Sequence, residues 1–385
     1  MKINLPDAAG ITASYSIQGE PLAATNPTTP FNRISFAAAH VVANPLGNGN
    51  PSTSTDIDWE STLAYRRYLL GLGHSIAEAM DTSQRGMGLG WPEALMLIRL
   101  SLADAGVKNS ARISSGCGTD QLAAADVHSL DDVVRAYLEQ LTAIQKLGGR
   151  IIMMASRALA RIAKSPDDYV DVYSRVLREA DQPVILHWLG EMFDPALKGY
   201  WGSGEFSQSM QTCLAVINAN VAKIDGIKIS LLDAQKEVEM RRLLPAPVKM
   251  YTGDDFNYPD LIAGDERVFS HALLGIFDAI APVASAALEA LAKGDLQTYR
   301  KLLDPTVPLS RMIFREPTQY YKTGIVFLAW LNGHQNHFVM VGGAQSMRPI
   351  SYFADIFRLA DQARLLRDPE LAAMRMQQLL TIYGL

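Results

Sequence analysis

Short apolar runs recur along the chain, and between them apolar residues return every three or four positions. The runs that predict strands are residues 34–42, 75–80, 111–116, 150–155, 183–188, 225–230, 248–252 and 268–271. The helix-period segments between them include 59–72, 91–105, 130–147, 166–180 and 232–243. Apolar strands alternating with amphipathic helices predict parallel βαβ units of the α/β class, and eight of them suit a closed (β/α)8 TIM barrel. The competing architecture is an open doubly wound sheet. Its G-x-G-x-x-G turn after the first strand is absent, and Gly86-Met87-Gly88-Leu89-Gly90 shares only glycine content with a phosphate loop.

The flanks follow other patterns. Residues 1–33 are polar, with one alternating stretch at Ile11-Thr12-Ala13-Ser14-Tyr15-Ser16-Ile17 that predicts a short N-terminal hairpin or arm. Beyond about residue 281 the strand signals stop. Residues 281–292, 296–303, 323–331, 352–367 and 369–383 read as helices punctuated by Gly-Asp, Pro and Asn-Gly. The expected organisation is an arm (1–33), a barrel (34–280) and a C-terminal helical region (281–385), the last a usual place for homodimer or homotetramer contacts.

Composition narrows the function classes. With 48% hydrophobic and 19% charged residues, a 385-residue chain has ample core for a globular protein. The net charge of −5 and the lack of a basic patch argue against a nucleic-acid partner. No apolar run approaches the roughly 18 residues of a membrane span. Two cysteines, Cys117 and Cys213, cannot form a disulfide framework, and the N-terminus lacks a secretory pattern. The expectation is a soluble cytoplasmic protein acting on a small molecule.

The most informative residue is Lys228, set in the apolar run Ile224-Asp225-Gly226-Ile227-Lys228-Ile229-Ser230. A buried lysine needs a reason. Desolvation disfavours its ammonium form and exposes a nucleophilic amine; the alternative is a lysine at a sheet edge, snorkelling to the rim. A closed barrel has no edge, which weakens that alternative. Barrel function belongs at the C-terminal strand ends. Those ends carry His40; Glu78, Asp81, Thr82 and Ser83; Cys117; Ser156 and Arg157; His187; Ser230; Asp254 and Asp255; and His271. Several have structural alternatives: His187 as a hydrogen-bonded core histidine, one of Asp254 and Asp255 as a helix cap, Thr82 and Ser83 as turn caps, Cys117 as a small buried hydrophobe.

Three segments resemble the dihydrodipicolinate synthase and N-acetylneuraminate lyase superfamily of Schiff-base aldolases. They are Ile57-Asp58-Trp59-Glu60, Gly226-Ile227-Lys228, and Tyr251-Thr252-Gly253-Asp254-Asp255 with Ala292-Lys293-Gly294-Asp295 downstream. The resemblance implies a barrel in which Lys228 forms an imine with a substrate ketone, without cofactor or metal. It also shows departures. Asp81-Thr82-Ser83-Gln84-Arg85 stands where the family has its carboxylate-binding G-T-T-G-E loop, His187 where it has a proton-relay tyrosine, and Ala155-Ser156-Arg157-Ala158 where it has T-P-Y-Y. A divergent subfamily is implied.

The leading expectation is therefore an aldolase or lyase for a 2-oxo acid or sugar-derived ketone. Lys228 is its nucleophile and His187, with a pKa near neutrality, its proton shuttle. Asp81, Thr82, Ser83, Arg157, Ser230, Asp254 and His271 are the expected substrate contacts. Two other classes stay open. One is a divalent-metal lyase or isomerase using His40, His187 and His271 with Glu78 or Asp81; the other is a non-catalytic sugar-binding barrel.

Overall fold

The structure, a computed structural model, describes residues 1–47, 55–265 and 267–385. An antiparallel hairpin of β1 (Lys2–Pro6) and β2 (Thr12–Ser16) precedes eight parallel strands. These are β3 (Ser35–Ala38), β4 (Ser75–Glu78), β5 (Ile113–Cys117), β6 (Arg150–Met153), β7 (Val184–Leu189), β8 (Ile224–Ser230), β9 (Lys249–Thr252) and β10 (His271–Leu274). Each pairs with the next and β10 pairs back onto β3, closing a (β/α)8 barrel. Helices after the last strand, from Ala281 to Ile382, complete the chain.

Alternation along each strand divides its side chains between two buried layers. Phe36, Ala38, Ala77, Ile152, Ile185, Tyr251 and Leu273 meet inside the barrel. Ala37, Ile76, Ile113, Ile151, Ile227, Met250 and Leu274 belong to the layer beneath the helices. Both faces being dry, the strands read as unbroken apolar runs rather than alternating ones.

The pairing of β7 with β8 carries a local irregularity with a chemical cause. Val184 pairs with Ile224 but Ile185 pairs with Gly226, so Asp225 is an extra residue on β8. Its carboxylate accepts from the Tyr251 hydroxyl at 2.6 Å and from Lys249 Nζ at 2.7 Å. A β-carbon on Gly226 would lie 2.6 Å from Cε2 of Tyr251 and from the Lys249 carbonyl. The sequence Asp225-Gly226 thus seats Tyr251, and the bulge sets the phase in which the rest of β8 enters the barrel.

The last strand departs from the expectation of 268–271 and runs from His271 to Leu274. The Asp265 carboxylate accepts from the amides of Arg267 and Val268, while the Asp265 amide donates to the Val268 carbonyl. This turn consumes the polar groups a strand would use. Phe269 beyond it lies under the Arg33 guanidinium, 3.5 Å from the ring centre. The pairing partners are found three residues later.

The arm straps the ends of the molecule together. Tyr15 donates to Asp361 at 2.7 Å, and the amides of Gln18 and Gly19 donate to the same carboxylate. Arg358 returns hydrogen bonds to the carbonyls of Leu5 and Pro6. Within the C-terminal region the helix Tyr321–Leu331 is buried along its whole length. Its first turn lies against the barrel mouth: a β-carbon on Gly275, just past β10, would meet the Tyr321 ring at 3.2 Å. Among the described residues no helix is long and apolar enough to cross a membrane.

Gly226→Ala is expected to lower unfolding stability by about 1–3 kcal/mol, because the methyl group must displace either the Tyr251 ring or the β9 backbone. Urea unfolding followed by circular dichroism reads the difference; a change within about 0.5 kcal/mol would contradict the close contact.

Candidate active site

Lys228 is the fifth residue of β8, in register with His187 on β7 and Tyr251 on β9. Residues paired in register on neighbouring parallel strands project to the same side, so the three line the barrel interior. Lys228 is 7% exposed. Among the described residues no hydrogen bond or ion pair reaches its ammonium group. Burial lowers its pKa, opposed by the carboxylates of Asp81 and Asp255. The stem has little room: a β-carbon on Gly253 would stand 2.7 Å from Lys228 Cε and 2.3 Å from Ser230 Oγ. Glycine in Tyr251-Thr252-Gly253-Asp254-Asp255 is the clearance through which the lysine passes.

His187 sits beside it, with Nε2 3.2 Å from Ser230 Oγ and Nδ1 unpartnered. The expected pKa near neutrality does not hold. Burial, and then the neighbouring Lys228, push it well below the ordinary histidine value. His187 is a neutral ring with one donor and one acceptor nitrogen.

The two aspartates after β9 divide their work. Asp254, named as a substrate contact, accepts from the amides of Phe256 and Asn257 and from the Asn257 side chain, which is turn-capping duty. Asp255 accepts from the Ile276 amide at 2.8 Å and feels the charge of Lys228. Burial raises its pKa to about 7. It is Asp255, not Asp254, that shares the lysine's environment.

The loop after β4 is a single 3-10 turn, Asp81–Ser83. Thr82 and Ser83 are both buried, and both hydroxyls are engaged: Ser83 donates to the Ala39 carbonyl at 2.7 Å, and Thr82 Oγ1 is 2.8 Å from the Tyr321 hydroxyl. Gln84 adopts φ 64°, a left-handed conformation that favours glycine, and its amide group donates to the carbonyls of Val341 and Met87. Those side-chain bonds tether the residue where the resembled family carries glycine. Arg157, at the start of the helix Arg157–Ile162, pairs with Asp194 at 2.5 Å and is largely exposed at the rim.

Other expected residues lie elsewhere. His271 opens β10, so it lies at the N-terminal end of the barrel, opposite the strand ends that carry the site. There it accepts from the Ile34 amide at 3.0 Å, and burial pushes its pKa to about 4. Its assignment followed from placing the strand three residues too early. Glu78 is buried in a bidentate pair with Arg66 and accepts from Ser101. His40 bonds Asp278 at 2.8 Å. The histidines and carboxylates considered for a metal therefore do not converge, and among the described residues no group of three forms a candidate metal cluster. Cys117 is buried, its thiol pushed up to about 12.

Two residues from the C-terminal region enter the site without having been foreseen. Tyr321 stacks on Phe314, meets Phe193 edge-on, hydrogen-bonds Thr82 and has Asp81 and Asp255 as nearby charges. Burial drives its hydroxyl well above the ordinary phenol value. Lys322 is buried beside it. The helix signal in the sequence begins at residue 323, and no local pattern ties a Tyr-Lys pair before an apolar helix to Thr82, which is 239 residues upstream of Tyr321.

A closed (β/α)8 barrel followed by C-terminal helices has the fold of dihydrodipicolinate synthases. YagE, a prophage protein of the dihydrodipicolinic acid synthase family from Escherichia coli K12 solved with pyruvate, matches with TM-score 0.66 and 15% identity over 87% of this chain and 99% of that one. Dihydrodipicolinate synthase from Thermotoga maritima matches with TM-score 0.63 and 14% identity over 88% and 100%. The chloride-inhibited enzyme from Acinetobacter baumannii, complexed with pyruvate, matches with TM-score 0.61 and 15% identity over 86% and 99%. No curated protein matches the chain. The chain belongs to the family described as "Protein of unknown function (DUF993)", whose model spans residues 3–385.

The raised pKa of Asp255 has a measurable consequence. Between the unfolded value near 4 and the folded value of about 7 the native state binds the extra proton. Through this group, stability is therefore lost as pH rises across that window. Asp255→Asn keeps the acceptor for Ile276 and removes the titration. It is expected to gain stability relative to the parent between pH 5 and pH 8, measured by urea unfolding at both; a pH-independent difference would contradict the assignment.

Proposed function

We propose that the protein is a Schiff-base-forming aldolase or lyase acting on a 2-oxo acid or a sugar-derived ketone through Lys228. The observation that carries this is the buried amine of Lys228, without a hydrogen-bond acceptor among the described residues and with neutral His187 and Asp255 nearby. Pyruvate bound by structures of the same fold agrees with a keto-acid substrate.

Burial disfavours charge on Lys228 and on Asp255 alike. Passing one proton from the ammonium to the carboxylate neutralises both and leaves the amine lone pair for the substrate carbonyl carbon. The C–N bond forms as the carbonyl π pair moves onto oxygen. That oxygen leaves as water after taking up protons, giving a protonated imine. C–C cleavage then sends its electron pair toward the iminium nitrogen, while the departing fragment's hydroxyl gives up its proton and becomes an aldehyde. Protonation of the enamine carbon and hydrolysis by water return the amine.

Three groups suit these proton transfers. Asp255 titrates near neutrality. His187 shares a hydrogen bond with Ser230 and has a second nitrogen free. The Thr82–Tyr321 pair presents two coupled hydroxyls where the family's relay tyrosine is missing from β7.

Sodium borohydride added with pyruvate or dihydroxyacetone phosphate is expected to leave a covalent adduct on Lys228, located by peptide mass spectrometry and absent from Lys228→Met. No adduct with either ketone would overturn the reading. Tyr321→Phe is expected to slow adduct formation by about 10²–10⁴-fold while leaving the site of modification unchanged; an unchanged rate would remove Tyr321 from the relay.

A further inference from the structure

The barrel mouth holds a second buried amine that the imine chemistry does not use. Lys322 is 4% exposed, yet its ammonium forms no ion pair with a carboxylate among the described residues. Its polar contacts are the Gln319 carbonyl at 3.1 Å and the Met87 sulfur at 3.3 Å, with the Tyr321 ring centre 4.9 Å away. An ammonium has three donors, and a thioether is a weak acceptor. Among the described residues one donor is left without a partner, and burial lowers the pKa to about 8.

The carboxylates that feel Lys322 are Asp81 and Asp194. Asp194 is already held by Arg157 and by the Ala196 amide. Asp81 acts on both buried lysines, so the fields of Lys228 and Lys322 meet over the same carboxylate. Arg157, paired with Asp194, lies on the same side. Its guanidinium nitrogens stand 3.5 and 3.7 Å from where a Gly86 side chain would begin, while Lys322 touches Met87, the next residue. The segment Gly86-Met87 thus lies between the Lys322 ammonium and the Arg157–Asp194 pair.

In the loop expected to hold the substrate's anionic group Ser83 donates its hydrogen to the Ala39 carbonyl, and Thr82 and Tyr321 share one hydrogen bond that leaves one O–H of the pair. An anion entering this mouth therefore meets that O–H and the Lys322 ammonium, with Asp81 as the nearby negative charge. We propose that Lys322 is the anchor for the anionic group of the substrate, and that the substrate is a ketone bearing a carboxylate or a phosphate group. This rests on the Schiff-base reading for the ketone, and on Lys322 and its surroundings for the anion.

The test separates the two. Oxamate, a carboxylate without a reactive ketone, and inorganic phosphate are titrated calorimetrically into the full-length protein, with potassium chloride of matched ionic strength as control. At least one is expected to bind saturably, Lys322→Met to weaken it about tenfold or more, and Lys322→Arg to keep it within about fivefold. Binding of oxamate alone assigns a carboxylate substrate, and binding of phosphate alone a phosphorylated one. Absence of binding by both, or an unchanged affinity in Lys322→Met, overturns the anchor. Borohydride trapping on Lys228 stands or falls separately, since neither probe can form an imine. Lys322→Met replaces a buried charge with an apolar side chain of similar length, and its circular dichroism spectrum verifies that it folds.

Discussion

The site is organised by the burial of the Lys228 ammonium, which among the described residues has no direct hydrogen-bond or ion-pair partner and only the nearby charges of Asp81 and Asp255. A buried charge is tolerated when it is paired, and two less buried lysines of this protein show such pairing, Lys249 with Asp225 and Lys293 with Glu289. Lys228 has no such partner among the described residues. Its neighbours carry the mark of its position: His187 is pressed toward the neutral form partly by the lysine's charge, and that same charge partly offsets the rise in the Asp255 pKa. The glycine at 253 and the bulge at Asp225 are the steric conditions that let the side chain stand there.

Around this centre the chain builds the barrel mouth from distant parts. Thr82 comes from the second barrel strand's loop, Asp255 from the seventh, and Tyr321 and Lys322 from a helix outside the barrel. Phe193, Phe314 and Tyr321 form an aromatic cluster whose last two rings lie against Gly275, just past β10. Polar groups buried beside such a cluster interact more strongly with one another than they would in water, which is why a neutral histidine and a carboxyl titrating near neutrality can coexist with an amine a strand away.

The barrel was legible because both faces of every strand are buried, so eight apolar runs stood out against helical periodicity. Lys228 was legible as the charge that broke such a run. The errors have local causes. Val268 and Phe269 are apolar because they cover a turn and Arg33, not because they pair, and counting them as strand displaced His271 to the wrong end of the barrel. Asp254 and Asp255 cannot be told apart by type or by spacing; only backbone direction after β9 decides which caps the turn and which faces the lysine. Tyr321 and Lys322 were hidden by distance along the chain, since nothing local in their segment reports contact with Thr82 or Met87.

The buried helix that carries Tyr321 has a consequence for the order of events in the cell. Ribosomes make the chain from its first residue, so all eight barrel strands are complete by Leu274, while that helix is still to be made. The helix that carries Tyr321 follows all eight strands in the chain, so its contacts with Thr82 and against Gly275 at the C-terminal end of the barrel can form only after the strands have been made.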